Sequence, residues 1–470
     1  MEETTRSAGM TLFGRVSLLL FALSGQLWGV QNSKTFDRAT LSNGMELVTY
    51  ESSKVPLVTI VLCSKAGAMT EDPDTNGLTH LWEHMFFKGN KKIPDQEAFN
   101  HRIRELGIVY NGDTGPEKVR YYFTLPSVYL KEGLEFMHDA ISGPLLAQEE
   151  LDREIKVVLN EYDRNASSPG FDLRRLRNRL IYGKLHYLRD ALGDRDLITK
   201  TTREQLFRIK REVFVPGNSA LLIAGDIDPK TIRGTVEKIF KAWQNPKGWK
   251  PKQPKAFPTF PKSQELVMIN PRARNVTITQ TFQGPRARLK PEDTYAADIL
   301  ISLLRLRTGK FYKTYMDSGL ALHAGLSYYT QSQAGEVKLY TFSRADKALE
   351  LKEKMKGEPQ KWLNPGYFTK TQLEDVKRSL RIEKLLSINK PSAYIKDLAF
   401  WWAVTGLDYY EGYLGSLMKT ELKDVRQFVK TYMIDKPNLM TIFLSPGDAK
   451  AIGLKDNATP LVKKFFKKSS

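Results

Sequence analysis

The chain of 470 residues contains little of two residue types on which many small sites depend, since it has 1 cysteine and 6 histidines. Cys63 therefore has no partner for a disulfide within the chain, and cysteine-based zinc-finger spacing is excluded. Because Cys63 follows an apolar, strand-like run, we expect it to be a small buried core residue. The first 30 residues hold no cysteine, which argues against lipid attachment there.

Acidic residues are also few in comparison with basic ones: Lys and Arg number 72, Asp and Glu 53, and the net charge is +19. The excess lies mainly in residues 246–262 and near the C-terminus, where Lys463, Lys464, Lys467 and Lys468 flank two phenylalanines. Such charge can attract acidic peptides, an anionic membrane or nucleic acid. No phosphate loop or RNA-binding aromatic motif is present, so nucleic acid is not an expected partner. We favour solvated lysines in a linker and a tail over a polyanion-binding protein.

Long apolar runs are absent as well, apart from the short run Val16 to Leu23, which follows a basic residue. This pattern predicts a secretory signal peptide over residues 1–30, and hence an exported protein that is periplasmic or secreted. Glu2 and Glu3 argue against a mitochondrial transit peptide. The alternative is an uncleaved anchor, which is the one route by which we expect contact with a membrane.

The strongest chemical signal is a short segment with the order His80-x-x-Glu83-His84. Two histidines four positions apart project from the same face of a helix, so both imidazoles can bind one Zn²⁺. Glu83 can then act as general base for a bound water. The flanking residues favour a short amphipathic helix with an N-cap at Thr75 or Asn76. The alternative is a surface helix that happens to carry three polar residues.

A catalytic zinc site needs a third protein ligand, and the helix predicted over Glu149 to Asn165 offers two candidates. Glu154 and Glu161 lie seven positions apart, so only about 20° separates them around the helix. One could bind zinc while the other orients a histidine, and the spacing does not decide which. The alternative is that both are solvated surface glutamates.

Together these segments resemble the insulinase/pitrilysin family of zinc peptidases, and within it the branch of mitochondrial processing peptidase and its bacterial relatives. The likeness is most specific in Gly77 to Gly89 and in Lys156 to Glu161, and it extends from about Phe36 to Asp448. It implies that His80, His84 and Glu161 bind zinc. It also implies that Glu83 is the catalytic base and that Glu154 is a supporting carboxylate.

The same resemblance implies how substrate binds and how the chain is built. Tyr110 to Gly112 resembles the family's asparagine segment, and Tyr121 to Pro126 resembles its substrate-pairing strand. We therefore expect a peptide to bind as an added strand near Asn111 and Tyr121 to Thr124. Members of this branch have two α/β-roll domains per chain, which form half of a clamshell that two chains close.

An internal repeat supports two domains independently. Residues 201–226 and 419–448 each read as a helix, a turn and an apolar strand, with Asn218 matching Asn438 and Glu161 matching Glu383. The second copy has an apolar helix, Ala297 to Leu304, where the first has its histidines. We predict an α+β fold with mostly antiparallel sheets and helices on one face of each sheet. The predicted boundaries follow the composition: a zinc-binding domain over 31–244, a Pro/Lys-rich linker over 245–261, a domain without a metal site over 262–449, and a basic tail over 450–470.

The sequence thus predicts a zinc-dependent endopeptidase acting on peptides or unfolded segments. One departure from the family concerns an expected arginine–tyrosine pair that steadies substrate: Lys310 stands for the arginine, and Leu322 or His323 for the tyrosine. Lysine keeps the charge but lacks the planar fork of arginine. The partner is therefore either a second copy or, as we favour slightly, a related chain without zinc. The alternative function is a non-catalytic partner subunit of a peptidase-like complex.

Overall fold

A computed structural model describes residues 36–253, 255–333 and 335–466, so the predicted leader, Lys467 and Lys468 lie outside it. The strands are β1 (Asp37–Thr40), β2 (Glu46–Glu51), β3 (Leu57–Ser64), β4 (Val109–Thr114), β5 (Val119–Pro126), β6 (Ser219–Gly225), β7 (Gln264–Ile269), β8 (Val276–Gln283), β9 (His323–Tyr329), β10 (Glu336–Ser343) and β11 (Asn438–Leu444). The helices are α1 (Leu78–Met85), α2 (Gln96–Glu105), α3 (Leu130–Ser142), α4 (Gln148–Ala166), α5 (Phe171–Tyr182), α6 (Arg195–Thr199), α7 (Arg203–Val213), α8 (Ile232–Phe240), α9 (Pro291–Arg305), α10 (Lys310–Tyr312), α11 (Ala345–Trp362), α12 (Lys370–Ser387), α13 (Pro391–Val404), α14 (Leu407–Lys419), α15 (Leu422–Tyr432), α16 (Pro446–Ala451) and α17 (Ala458–Phe466). None of these helices is long and apolar enough to cross a membrane.

The first sheet has the strand order β1-β2-β6-β3-β5-β4. Strand β2 runs parallel to β6, with Glu46 opposite Ala220, while β3 runs antiparallel to both β6 and β5. Strand β3 is apolar almost throughout and is buried from its second residue onward, as expected for a strand covered on both faces.

The second sheet repeats this arrangement, with the order β7-β11-β8-β10-β9. Again one pair is parallel, β7 with β11, and the others are antiparallel. In both halves the helix before the parallel strand, α7 or α15, begins with a capping box. The prediction of an α+β chain with two repeated domains is confirmed. One detail of the repeat shifts by a residue, because Asn438 begins β11 whereas Asn218 lies just before β6.

Each half of the chain contributes one helix that packs on the sheet of the other half. Helix α13, from the second half, packs on β3 and β6 of the first sheet, where the thiol of Cys63 lies 3.5 Å from the carbonyl oxygen of Ala399. Conversely, α5 from the first half contributes Leu176 and Ile181 to a cluster with the β7 residue Leu266. One face of each sheet is therefore covered in part by a helix of the other half, and in the second sheet that helix, α5, lies beside α17.

The linker and the tail are more closely packed than the sequence indicated. The linker has no helix or strand in its described residues, but Phe257 and Phe260 are buried in the same cluster as α5. Lys255 pairs with Asp72 at 2.7 Å. The expected solvated tail is instead helical over α17, which buries Ala458 and Val462. The lysines lie on the exposed face of this helix. They dominate the composition of the segment, so the composition indicated a solvated tail and did not reveal the buried face.

Candidate metal centre

Helix α1, which carries the histidines, begins in an unexpected way. Thr75 and Asn76 do not cap it; the residue before the helix is Gly77, with φ of 98° and no side-chain cap. Its first N–H groups are met by Glu71, whose carboxylate accepts hydrogen bonds from Gly77 N at 2.9 Å, from Thr79 N at 2.9 Å and from the Thr79 hydroxyl at 2.7 Å. Burial raises the pKa of Glu71, while these hydrogen bonds oppose the shift. A carboxylate from the preceding loop thus holds the start of the helix.

Glu161 of α4 lies opposite the two histidines of α1. Its Oε2 atom is 3.6 Å from Nε2 of His80 and 3.7 Å from Nε2 of His84. One potential ligand atom from each of the three residues lies within 4.8 Å of the others, and the part of the chain that the structure describes holds no second group of this kind. The four-residue spacing of the motif places both histidines on one side of α1, where Glu161 of α4 lies close to them.

Glu154, seven residues before Glu161 on α4, contacts His84 through the other ring nitrogen of that histidine. Its Oε2 lies 3.0 Å from Nδ1 of His84, and its Oε1 lies 2.6 Å from the ammonium of Lys88. Burial opposes the charge on Glu154, but the hydrogen bonds from His84 and Lys88 outweigh it and lower the pKa of the carboxyl. An ionised Glu154 accepts the Nδ1 proton of His84, which leaves the Nε2 lone pair facing Glu161.

The donor set fits a divalent zinc ion. Two imidazoles and one carboxylate are ligands that zinc takes in catalytic sites, which keep a further position open. Burial lowers the pKa of His80 to about 4, so its imidazole is neutral and able to donate a lone pair. Its Nδ1 is buried without a hydrogen-bond partner, so no such bond orients the ring from that side.

Glu83 lies beside this group, against strand β4. Its Oε2 accepts a hydrogen bond from the hydroxyl of Thr114 at 2.5 Å. A Cβ atom on Gly112 would lie 2.8 Å from Oε1 of Glu83, so glycine leaves the space that the carboxylate fills. Burial raises the pKa of Glu83. A carboxylate with a raised pKa binds a proton more readily, as a general base must.

The two segments predicted to pair with substrate differ in the structure. Asn111 lies in β4, which is the last strand of its sheet, and Val109 in the same strand is 71% exposed. Residues Tyr121 to Thr124 lie in β5, between β3 and β4, so their backbone groups already pair with both neighbours. The prediction that a peptide pairs with β5 is therefore wrong, because only an edge strand has free backbone groups.

Lys310, the other predicted substrate residue, is not part of this cluster. It opens the short helix α10 in the second half, is exposed, and donates a hydrogen bond to the carbonyl of Gly366 at 2.8 Å. Leu322 is 59% exposed, and His323 begins β9. Within one chain these residues contact their own half.

Three residues of the site were missed by sequence reasoning: Glu71, Lys88 and Thr114. Lys88 could have been found, because it lies four positions after His84 and so on the same face of the helical segment. Glu71 and Thr114 reach α1 through the folding of a loop and a sheet, and no spacing in the sequence signals such contacts.

The fold and the site define a two-domain α+β protein with a His-His-Glu group suited to a metal. The model for the insulinase family (peptidase family M16) matches residues 47–186, and the model for the peptidase M16 inactive domain matches residues 200–380. The chain belongs to the insulinase family. The inactive-domain model thus covers the end of the first half and much of the second, in which no histidines stand at the positions that correspond to His80 and His84.

Several relatives extend this result. An uncharacterized zinc protease of Rickettsia felis is 27% identical over 209 residues, which are 44% of this chain and 50% of that protein. The probable zinc protease PqqL of Haemophilus influenzae is 29% identical over 201 residues, 41% of this chain and 22% of that protein. The matches span about half the length or less of these curated relatives.

Solved structures share the fold at low identity. A protease from Helicobacter pylori has a TM-score of 0.79 at 19% identity and covers 87% of this chain and 99% of its own. The periplasmic protease PqqL from Escherichia coli has a TM-score of 0.76 at 16% identity, with 94% of this chain and 51% of that one covered. The present chain therefore matches half of PqqL.

Proposed function

We propose that this protein is a zinc-dependent endopeptidase that hydrolyses peptides or unfolded polypeptide segments. The observation that carries the proposal is that potential ligand atoms of His80, His84 and Glu161 lie close together. A further carboxylate, Glu83, lies beside them and does not belong to this group. The family membership and the relatives named zinc proteases support it.

His80, His84 and Glu161 are the proposed zinc ligands, and Glu154 fixes the orientation of His84. Zinc bound there would polarise the scissile carbonyl and lower the pKa of a bound water. Glu83 takes the proton of the attacking water and passes it to the leaving amine. Thr114 holds Glu83 at the side of the site that β4 borders.

Substrate is proposed to bind along β4, whose outer edge can add an extended peptide through backbone hydrogen bonds. Asn111 lies in the middle of this strand and is exposed. Because two domains form only half of a peptide chamber in the proposed clamshell, a second copy or a zinc-less related chain is proposed to close it and to supply what Lys310 lacks. Export to the periplasm or beyond remains part of the proposal, as do the assignment to the processing-peptidase branch and the predicted domain boundaries.

The test compares the wild-type chain with Glu83→Gln for zinc content and for cleavage of an unstructured peptide. Glutamine cannot accept the proton of the water, so the variant should keep zinc and lose about 10²–10⁴-fold in turnover. A zinc-loaded Glu83→Gln sample with unchanged turnover would remove Glu83 from this role. A wild-type chain that binds no zinc and cleaves nothing, alone or with a partner, would overturn the proposal.

A further inference from the structure

The residue that holds Glu83 belongs to a hairpin formed by β4 and β5. Thr114 is the last residue of β4, and its hydroxyl donates to Glu83 at 2.5 Å. Two residues earlier, Gly112 brings the backbone of the strand against the same carboxylate. The position of the hairpin therefore sets both the place and the rotation of the Glu83 side chain.

The turn of this hairpin is held by contacts on both sides of Thr114. Its Gly115 N–H donates to the carbonyl of Lys118 at 2.8 Å, which closes a tight turn. Asp113, beside Thr114, is held by Lys118 and by Arg120 on the returning strand. Thr114 thus lies between two residues, Asp113 and Gly115, that are bonded to the returning side of the hairpin.

The second half of the chain forms hydrogen bonds with this hairpin at two positions. The carboxylate of Glu117 accepts hydrogen bonds from the backbone N–H of Ser332 at 2.9 Å and 3.3 Å, and Ser332 is only 2% exposed. The guanidinium of Arg120 donates to the carbonyl of Lys396, in the exchanged helix α13. A cavity of about 220 Å³ lies between the hairpin and Phe400, which leaves the turn room to shift if these bonds are lost.

We infer that the second half of the chain, although it carries no metal ligands, orients the catalytic base of the first half through this hairpin. Thr114 and Glu117 are positioning residues: Thr114 acts on Glu83 directly, and Glu117 acts by anchoring the turn to Ser332. This inference rests on the proposed peptidase function. A small displacement of a reacting group can cost on the order of 100-fold in rate, so the anchoring has a measurable consequence.

The first experiment replaces the hydroxyl of Thr114 while keeping its shape. Thr114→Val, loaded with zinc, should lower kcat on the order of 10- to 100-fold with KM and zinc content unchanged. Thr114→Ser restores the donor and should recover most of the loss. A Thr114→Val enzyme with wild-type kcat, or a Thr114→Ser enzyme as impaired as Thr114→Val, would overturn the role of Thr114.

The second experiment tests the anchor. Glu117→Met keeps the length of the side chain but cannot accept a hydrogen bond, and Glu117→Gln retains an oxygen for the N–H of Ser332. Glu117→Met should lower kcat, and Glu117→Gln should restore it. The matched control is Tyr182→Phe, which removes another hydrogen bond between the halves, to Glu336 at 3.0 Å, without touching the hairpin.

Amide hydrogen exchange of the metal-free chain gives a readout that does not depend on activity. Peptides covering residues 113–118 should exchange faster in Glu117→Met than in the wild type. Their exchange rate in Tyr182→Phe should equal that of the wild type. Equal effects of Glu117→Met and Tyr182→Phe on both exchange and kcat would overturn the inference. A zinc-loaded wild type that cleaves no peptide would instead refute the proposed function, and with it the predicted effect on kcat. The exchange result would still decide whether the second half of the chain holds the hairpin in place.

Discussion

The same place in the two halves is filled by two helices of opposite character. Between β3 and β4 lies α1, which presents His80, Glu83 and His84 beside its buried stripe. Between β8 and β9 lies α9, in which Leu300 is fully buried and Leu304 nearly so. The architecture therefore does not require the metal-binding residues, since the second half is built without them.

The second helix of the site differs in a parallel way. If Glu161 corresponds to Glu383, then Glu154 corresponds to Val376, which is 2% exposed in the core of the second half. A buried carboxylate that holds a histidine in one half is thus replaced by an aliphatic side chain in the other. Glu383 itself is exposed and has no histidines to meet. Burying a charge is tolerable only where a partner compensates it.

The largest expected effect comes from removing a proposed ligand. His80→Ala, His84→Ala and Glu161→Ala should each lose zinc and all detectable peptide cleavage, because a catalytic zinc site needs three protein ligands. Glu383→Ala, at the corresponding position of the second half, should retain both. Metal analysis and a cleavage assay on the four variants provide the check, and zinc loss in Glu383→Ala would break the comparison.

The converse change tests whether α9 serves packing alone. Leu300→Ala should lower the free energy of unfolding by about 2–5 kcal/mol, since it leaves a cavity in the second core. Zinc content measured below the unfolding transition should stay at one ion per chain. Denaturant unfolding followed with metal analysis distinguishes the two effects, and a loss of zinc from the folded variant would show that α9 also supports the site.

A smaller effect is expected for Glu154. Glu154→Ala removes the acceptor for Nδ1 of His84, and should lower zinc affinity or turnover on the order of 10–100-fold without abolishing either. Competition with a chelator measures the affinity. If Glu154→Ala lost zinc completely while Glu161→Ala kept it, the ligand and supporting roles would be reversed.

The smallest effect should follow from Lys310→Ala. The side chain is exposed and bonds only a carbonyl of its own half, so the free energy of unfolding should change by less than about 0.5 kcal/mol. We expect turnover of the chain together with a zinc-less partner to change little, because the partner supplies the groups that Lys310 lacks. Solution mass and activity with and without candidate partners are the measurements. A fully active homodimer that Lys310→Ala strongly impairs would contradict the mixed pair.

Sequence patterns captured what depends on local order. The helical spacing of residues 149–165 predicted α4, and four positions between histidines placed both imidazoles on one side of α1. The repeat indicated a second half with an apolar helix in place of the histidines. These features follow from periodicity, which the chain carries within a few turns.

What the sequence did not reveal depends on contacts between distant segments. Glu71 caps α1 from a loop, and Thr114 reaches Glu83 only because β4 lies beside that helix. The strand order that makes β5 internal is likewise set by the whole sheet. The lysine-rich end was predicted as solvated because its exposed face dominates its composition, while two small buried residues dock it.

The exchange of α5 and α13 between the sheets has a consequence for how the chain folds. Cys63 faces α13, and Val61, two positions earlier on the strand, shares its face; without α13 this apolar surface would meet water. The first sheet is thus finished only after most of the chain has been synthesised, and contacts so distant in sequence form slowly. A fragment that stops at the linker should aggregate, whereas the two fragments made together should assemble into one soluble particle that melts in a single transition.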